Sequence, residues 1–122
     1  MMSLKSKVSE INNITVIKLD GEYDSRSRDE IKNLIVSGLK SACNKKLVVD
    51  FSELTGQRSI VETIQRAESM PREFKNVKIA HIESVLNLRF ANDEETIHRN
   101  RGFKFKSFLN IEDGISWLKR QS

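Results

Sequence analysis

The stretch Lys46-Leu47-Val48-Val49-Asp50-Phe51-Ser52 decides the fold, because it holds a short, continuous apolar run between polar residues. A strand that is covered on both faces has this pattern, and such strands are typical of parallel sheets. Asp50 and Ser52 mark the carboxyl end of this strand. Other parts of the chain must then supply helices to cover the sheet.

Strands and helices alternate on both sides of this central strand. Upstream, residues 4–11 and 14–19 predict a hairpin with Asn12-Asn13 in its turn, the first strand outside and the second inside the sheet. Downstream, residues 77–82 and 103–108 predict two more strands. The fifth strand could lie at the other edge of the sheet and pair there into a homodimer.

Four segments have apolar residues at helical spacing, and they begin near Ser27, Ser59, Ser84 and Asn110. The third of these predicted helices carries Leu86, Phe90 and Ile97 on its apolar stripe. The predicted fold class is therefore α/β, in the order ββαβαβαβα. It is a single domain over residues 1–122, with a mixed, mostly parallel five-stranded sheet and four helices.

Composition excludes several classes of protein. The single cysteine, Cys43, rules out a disulfide framework within the chain and favours a reducing cytoplasm. No apolar run is long enough for a transmembrane segment. The net charge is +4, but acidic residues are interspersed among the basic ones and no long basic block forms. We therefore expect no nucleic-acid partner.

The titratable residues do not predict an enzyme. Nothing in their spacing brings Cys43 to either His81 or His98, as a nucleophile–base pair would require. The acidic stretch Asp93-Glu94-Glu95 is interpreted as a solvated face of the third helix. The sequence therefore predicts no catalytic residues, no metal site and no cofactor.

Two stretches resemble the STAS domain family, the fold of bacterial anti-anti-sigma factors. The first is residues 48–54, Val-Val-Asp-Phe-Ser-Glu-Leu. The second runs from Asn100-Arg101-Gly102-Phe103 through Phe108 to Glu112-Asp113-Gly114-Ile115-Ser116-Trp117-Leu118. The resemblance covers most of the chain and implies a bacterial, non-enzymatic regulatory protein with a protein partner.

The resemblance also implies a site. The serine that the partner kinase phosphorylates in anti-anti-sigma factors falls on Ser59, which makes Ser59 and Arg58 a candidate phospho-acceptor or anion site. The chain departs from the family motif, since Arg58 replaces an aspartate and Ile60-Val61 replace Ser-Gly. From the residues alone, Ser59 has the simpler role of a helix N-cap.

The leading functional hypothesis is a regulatory or protein-interaction module. Its predicted contact surface is the loop Leu54-Thr55-Gly56-Gln57 with Arg58 and Ser59 and the start of the following helix. The alternative hypothesis is a carrier of a small apolar or anionic ligand in a cleft near the C-terminal helices. Trp117 either lines such a cleft or shields the sheet.

Overall fold

A computed structural model of the chain describes residues 4–24, 27–41, 45–56 and 58–120, and its strands form one sheet in the order β1-β2-β3-β4-β5. The strands are β1 (Lys5–Ile11), β2 (Ile14–Glu22), β3 (Lys46–Thr55), β4 (Lys78–Ile82) and β5 (Lys104–Phe108). β1 pairs antiparallel with β2, and the later pairs are parallel. The predicted mixed, mostly parallel sheet is confirmed.

The helices are α1 (Ser27–Ser41), α2 (Ile60–Ser69), α3 (Leu88–Arg99) and α4 (Ile111–Lys119). The predicted α/β order is therefore confirmed as well. Two short 3-10 turns, Arg72–Asn76 and Val85–Asn87, precede β4 and α3. Within the described ranges, no helix has both the length and the apolar character that crossing a bilayer requires.

Local sequence signals explain where several elements begin and end. Asn12 and Asn13 adopt positive φ values of 53° and 64°, which lets the chain reverse between β1 and β2. The Asn110 side chain accepts a hydrogen bond from the Asp113 backbone N–H at 2.9 Å and so caps α4. Pro71 follows Met70, the C-cap of α2, and holds that residue in an extended conformation.

The third helix differs from its prediction. Ser84 is followed by the 3-10 turn, so α3 begins only at Leu88. Leu86 therefore does not lie on the buried stripe of this helix and is 91% exposed.

Each face of the sheet has its own apolar core. Leu47 and Val49 of β3 pack with α1 and with Met70, the C-cap of α2, on one face, whereas Val48 packs with Leu118 of α4 on the other. The central run is thus covered on both faces, as predicted. β1 and β5 form the two edges, and Phe103 and Phe105 at the β5 edge are buried in the core of their own chain.

Candidate functional site

The end of β3, where the loop to α2 begins, is fastened to the end of β2. Thr55 Oγ1 donates to the Gly21 carbonyl at 3.1 Å, and the Thr55 carbonyl accepts from the Tyr23 backbone N–H at 2.8 Å. Gly56 has a φ of 94°, a conformation that side chains other than glycine rarely adopt. A Cβ at Gly56 would also collide with the Tyr23 carbonyl oxygen.

Ser59 caps α2. Its Oγ accepts a hydrogen bond from the Glu62 backbone N–H at 3.3 Å, and its carbonyl accepts from the Thr63 N–H at 3.0 Å. The Glu62 carboxylate in turn accepts from the Tyr23 hydroxyl at 2.7 Å. Burial, with this hydrogen bond, raises the pKa of Tyr23 to about 12. The start of α2 is therefore held against β2 by a neutral tyrosine.

Arg58 points into the protein. Its Nη2 lies 2.6 Å from Glu83 Oε2 and its Nη1 lies 3.6 Å from Glu94 Oε2. The guanidinium also stacks near two aromatic rings, 5.1 Å from the Phe51 centroid and 4.9 Å from the Phe90 centroid. An anion that bound Arg58, the role the sequence predicts for it, would have to compete with the Glu83 carboxylate, which already pairs with its guanidinium.

Arg58 belongs to a buried ion cluster, which we define as Arg58, Arg66, His81, Glu83 and Glu94. Arg66 Nη2 of α2 lies 3.4 Å from Glu94 Oε2. His81 of β4 lies between the two carboxylates, with Nε2 3.6 Å from Glu83 Oε2 and Nδ1 3.6 Å from Glu94 Oε1. The cluster joins the loop before α2 to β4 and α3.

The position of Glu94 contradicts the prediction that it lies on a solvated acidic face. Its side chain is fully buried, and on α3 it shares the inward face with Ala91 and His98. The sequence contained a signal for this, because residues three and four apart lie on one face of a helix. Glu83 follows β4 directly, and no pattern in the sequence marked it.

Burial determines which members of the cluster carry charge. Loss of hydration raises the pKa of Glu94 well above its ordinary value, although Arg58 and Arg66 oppose this shift. Burial lowers the pKa of His81 well below its ordinary value, and the two arginines lower it further. His81 is therefore neutral near pH 7.

His98 packs beside the cluster on the β5 side. Its ring stacks on Phe105 with centroids 4.1 Å apart, and its Nδ1 lies 2.8 Å from the Glu94 carbonyl. Burial lowers the pKa of His98 to about 4, although the backbone hydrogen bond opposes the shift. His98 is therefore neutral as well.

Part of the cluster has the composition of a metal site. His81, Glu83 and Glu94 each offer one ligand atom, and these atoms lie within 4.8 Å of one another. Two guanidinium groups already stand against the two carboxylates, however. A divalent cation would leave an excess of positive charge in a buried site, which is costly. The arrangement therefore fits an ion-pair network better than a metal centre.

The surface above the cluster exposes apolar side chains, which we call the apolar patch: Ile60 (37% exposed), Val61 (62%), Val85 (67%), Leu86 (91%) and Leu88 (45%). They follow β3 and β4, which are parallel neighbours and end at the same edge of the sheet. A surface depression of about 320 Å³ lined by Gly56, Arg58, Asn87 and Phe90 connects the two segments.

The predicted contact loop is only partly at the surface. Leu54 is 4% exposed and packs in the core on the α1–α3 face, so it cannot form part of a contact surface. Thr55 and Gly56 are exposed. Gln57 lies outside the described residues.

Trp117 packs against β5. Its ring is half-buried against Phe108, 5.8 Å between centroids, and Lys78 Nζ lies 4.5 Å from the Trp117 ring centroid. On the opposite face, an apolar cavity beside Arg66 and His98 has a volume of about 20 Å³, room for one water molecule. This cavity is therefore too small for a small organic ligand, because pockets for such ligands are roughly 300 Å³ or larger.

Comparison with known proteins supports the fold through structure alone. No family model and no curated protein sequence matches the chain. An anti-sigma factor antagonist from Mycobacterium paratuberculosis superposes with a TM-score of 0.65 at 12% identity, covering 97% of this chain and 96% of its own. The chain has the SpoIIAA-like fold. This confirms the resemblance to STAS domains at the level of fold.

Two further solved structures share this SpoIIAA-like fold. An uncharacterised DUF3478-family protein from Shewanella loihica gives a TM-score of 0.60 at 17% identity, covering 97% of this chain and 95% of its own. The unphosphorylated form of the anti-sigma factor antagonist SpoIIAA gives 0.52 at 14% identity, covering 97% of this chain and all of its own.

Proposed function

We propose that this chain is a non-enzymatic regulatory module of bacterial origin that binds a protein partner through the apolar patch. The observation that carries the proposal is the patch itself, five exposed apolar residues on two adjacent segments. Contiguous exposed apolar surface on a small domain commonly marks an interaction site. Solved structures with this fold include anti-sigma factor antagonists, which supports a regulatory role. A cytoplasmic location stays a prediction.

The depression beside the apolar patch favours a particular kind of partner. Its walls include the Phe90 ring and Gly56, which contributes no side chain, and its one charged lining residue, Arg58, is already paired with Glu83. An apolar side chain of a partner protein can enter it without burying an unpaired charge. We therefore propose a partner that inserts an apolar anchor residue here, with Thr55 and Gly56 at the rim.

Ser59 borders this surface and stays the candidate phospho-acceptor. A phosphate there would meet the amino end of α2, where the helix dipole favours negative charge. It would also place about two negative charges beside Ile60 and Val61 of the patch. Because Arg58 is engaged by Glu83 at 2.6 Å, we propose that the phosphate would act by repelling the partner's apolar anchor rather than by pairing with Arg58.

The experiment compares charged substitutions inside and outside the patch. Proteins cross-linked to the wild-type chain in lysate are identified, purified, and titrated by calorimetry against wild type, Leu86→Glu and Val8→Glu. Val8 is a matched control, since it is 62% exposed on β1 at the far edge of the sheet. We expect Leu86→Glu to weaken binding at least tenfold and Val8→Glu to leave it within twofold.

Two results would overturn the proposal. One is a purified partner whose affinity is unaffected by Leu86→Glu or reduced equally by Val8→Glu. The other is a wild-type dimer in analytical ultracentrifugation that Leu86→Glu dissociates, because the patch would then be the contact between two copies of the chain. Unchanged thermal unfolding of both variants is the control for folding.

A further inference from the structure

The lysines of the sheet all lie on one face. Side chains of cross-strand partners point to the same face, and so do residues two apart on one strand. Lys46, Lys78 and Lys104 are partners across β3, β4 and β5, and Lys7 is the partner of Lys18. Lys18 in turn pairs with Asp50, four residues after Lys46. The seven strand lysines are Lys5, Lys7, Lys18, Lys46, Lys78, Lys104 and Lys106.

This face is the one that α4 covers. Ala80 and Ile82 are two and four residues after Lys78, and they pack with Ile115 and Leu118 of α4. The opposite face carries the core beneath α1, and Arg66 of α2 and His98 of α3 line a cavity on that same face. The strand lysines therefore share their face of the sheet with a single helix, α4, and the smaller apolar core beneath it.

Three of these lysines form what we call the basic row: Lys46, Lys78 and Lys104, each the first residue of its strand. Adjacent strands lie about 4.8 Å apart, so the row spans about 10 Å. Burial lowers the pKa of Lys78. The charges of Lys46, of Lys104 and of Arg120, which directly follows α4, lower it further. Like charges directly opposite one another destabilise a sheet.

No acidic residue in the described part of the chain relieves this repulsion. Across the described ranges, the ion pairs of the chain involve none of these four cations. Lys78 Nζ donates to the Trp117 carbonyl at 3.3 Å and so neutralises the carboxyl end of α4. The carboxyl end of α4 therefore repels a nearby anion less than a helix end without such a hydrogen bond would.

We infer that the basic row, together with Arg120, is a binding site for a small anion that carries several phosphate groups. Lysine ammonium groups are compact point charges that bind phosphate oxygens. One carboxylate cannot span three strands, which cover about 10 Å of the sheet, whereas a chain of phosphates can. Bound phosphates would offset the repulsion that the empty row carries.

The shape of the site favours a small anion over a duplex or a bilayer. α4 stands on the same face of the sheet, and its carboxyl end touches the row through the Lys78–Trp117 contact. The half-buried Trp117 ring forms one wall beside the ammonium group. The row therefore occupies a corner instead of a flat surface. It lies at the amino ends of β3 and β4, opposite the apolar patch, so the inference does not depend on the proposed function.

Calorimetric titration with inorganic tripolyphosphate at low salt tests the site. The test variant is Lys46→Gln/Lys104→Gln, and the matched control is Lys5→Gln/Lys7→Gln, which removes the same charge from the same face at β1. Lys78 is left intact because it is buried. We expect the test variant to bind tripolyphosphate at least tenfold more weakly and the control to stay within twofold of wild type.

Three outcomes would overturn the inference: no binding by wild type, equal weakening in both variants, or tighter binding of duplex DNA or phosphatidylserine vesicles than of tripolyphosphate. A second readout does not require the ligand. Without tripolyphosphate, the test variant should unfold at a temperature equal to or above that of wild type, because its repulsion is removed. With tripolyphosphate, only wild type and the control should gain thermal stability.

Discussion

Replacing Arg58 with methionine should destabilise the protein strongly. Methionine has a similar length and keeps the apolar contacts with Phe51 and Phe90, but it removes the guanidinium that lies 2.6 Å from Glu83. Breaking a buried ion pair from one side typically costs about 3–5 kcal/mol. Arg66 still faces Glu94, so part of the negative charge of the buried cluster stays compensated. We therefore expect a loss of about 3 kcal/mol in the free energy of unfolding. That is a large part of the roughly 5–15 kcal/mol that stabilises a domain.

Urea unfolding followed by circular dichroism at pH 7 measures this loss. The control is Arg89→Met, which removes the same charge from an exposed position on α3 and should change stability by less than about 0.5 kcal/mol. A double-mutant cycle with Glu83→Gln separates charge from packing, because glutamine needs no counter-charge. In that background Arg58→Met should cost at least about 1 kcal/mol less. Equal costs in the two backgrounds would refute the ion-pair argument.

Three other predictions concern single residues. Protonation of His98 is penalised in the folded state, so its contribution is present above pH 6.5 and is lost as the pH falls towards its pKa of about 4. Relative to His98→Phe, wild type should lose about 3 kcal/mol between pH 7 and pH 4 in urea titrations. Gly38→Ala should cost about 1–3 kcal/mol in thermal unfolding, because the new Cβ overlaps the buried Ile17 side chain. Ser59→Ala should cost about 1 kcal/mol by the same measurement, through loss of the Glu62 cap, and Ser59→Asp should restore most of it.

The fold could be predicted because local and long-range signals agree. The run Leu47-Val48-Val49 demanded cover on both faces, and the chain supplies it with α1 and α2 on one side and α4 on the other. Asn12-Asn13 fixed the hairpin turn through residues that tolerate positive φ. Neither signal depends on distant residues, so single-sequence reasoning was sufficient.

The candidate site was harder because its charges are buried. Charged residues are seldom fully buried unless they are paired, so Glu94 between Asp93 and Glu95 was interpreted as solvated. Its partners Arg58 and Arg66 lie 36 and 28 residues away along the chain, and only the packing of α2 against α3 brings them together. Sequence spacing contains no information on such a contact. The helical face shared by Ala91, Glu94 and His98 was the one local hint.

The basic row shows how the core can determine a surface feature. Each lysine stands first in its strand, which is visible in the sequence, but only the register brings the three side chains together. A slip of one residue in β4 would move the Lys78 side chain to the face of the sheet that α1 covers. It would also move the Ile79 side chain to the opposite face, among the lysines. Burial of the alternating apolar residues on both faces forbids that slip. The core therefore imposes the like-charge repulsion in the row, and a row held together against its own repulsion is prepared to bind an anion without rearrangement.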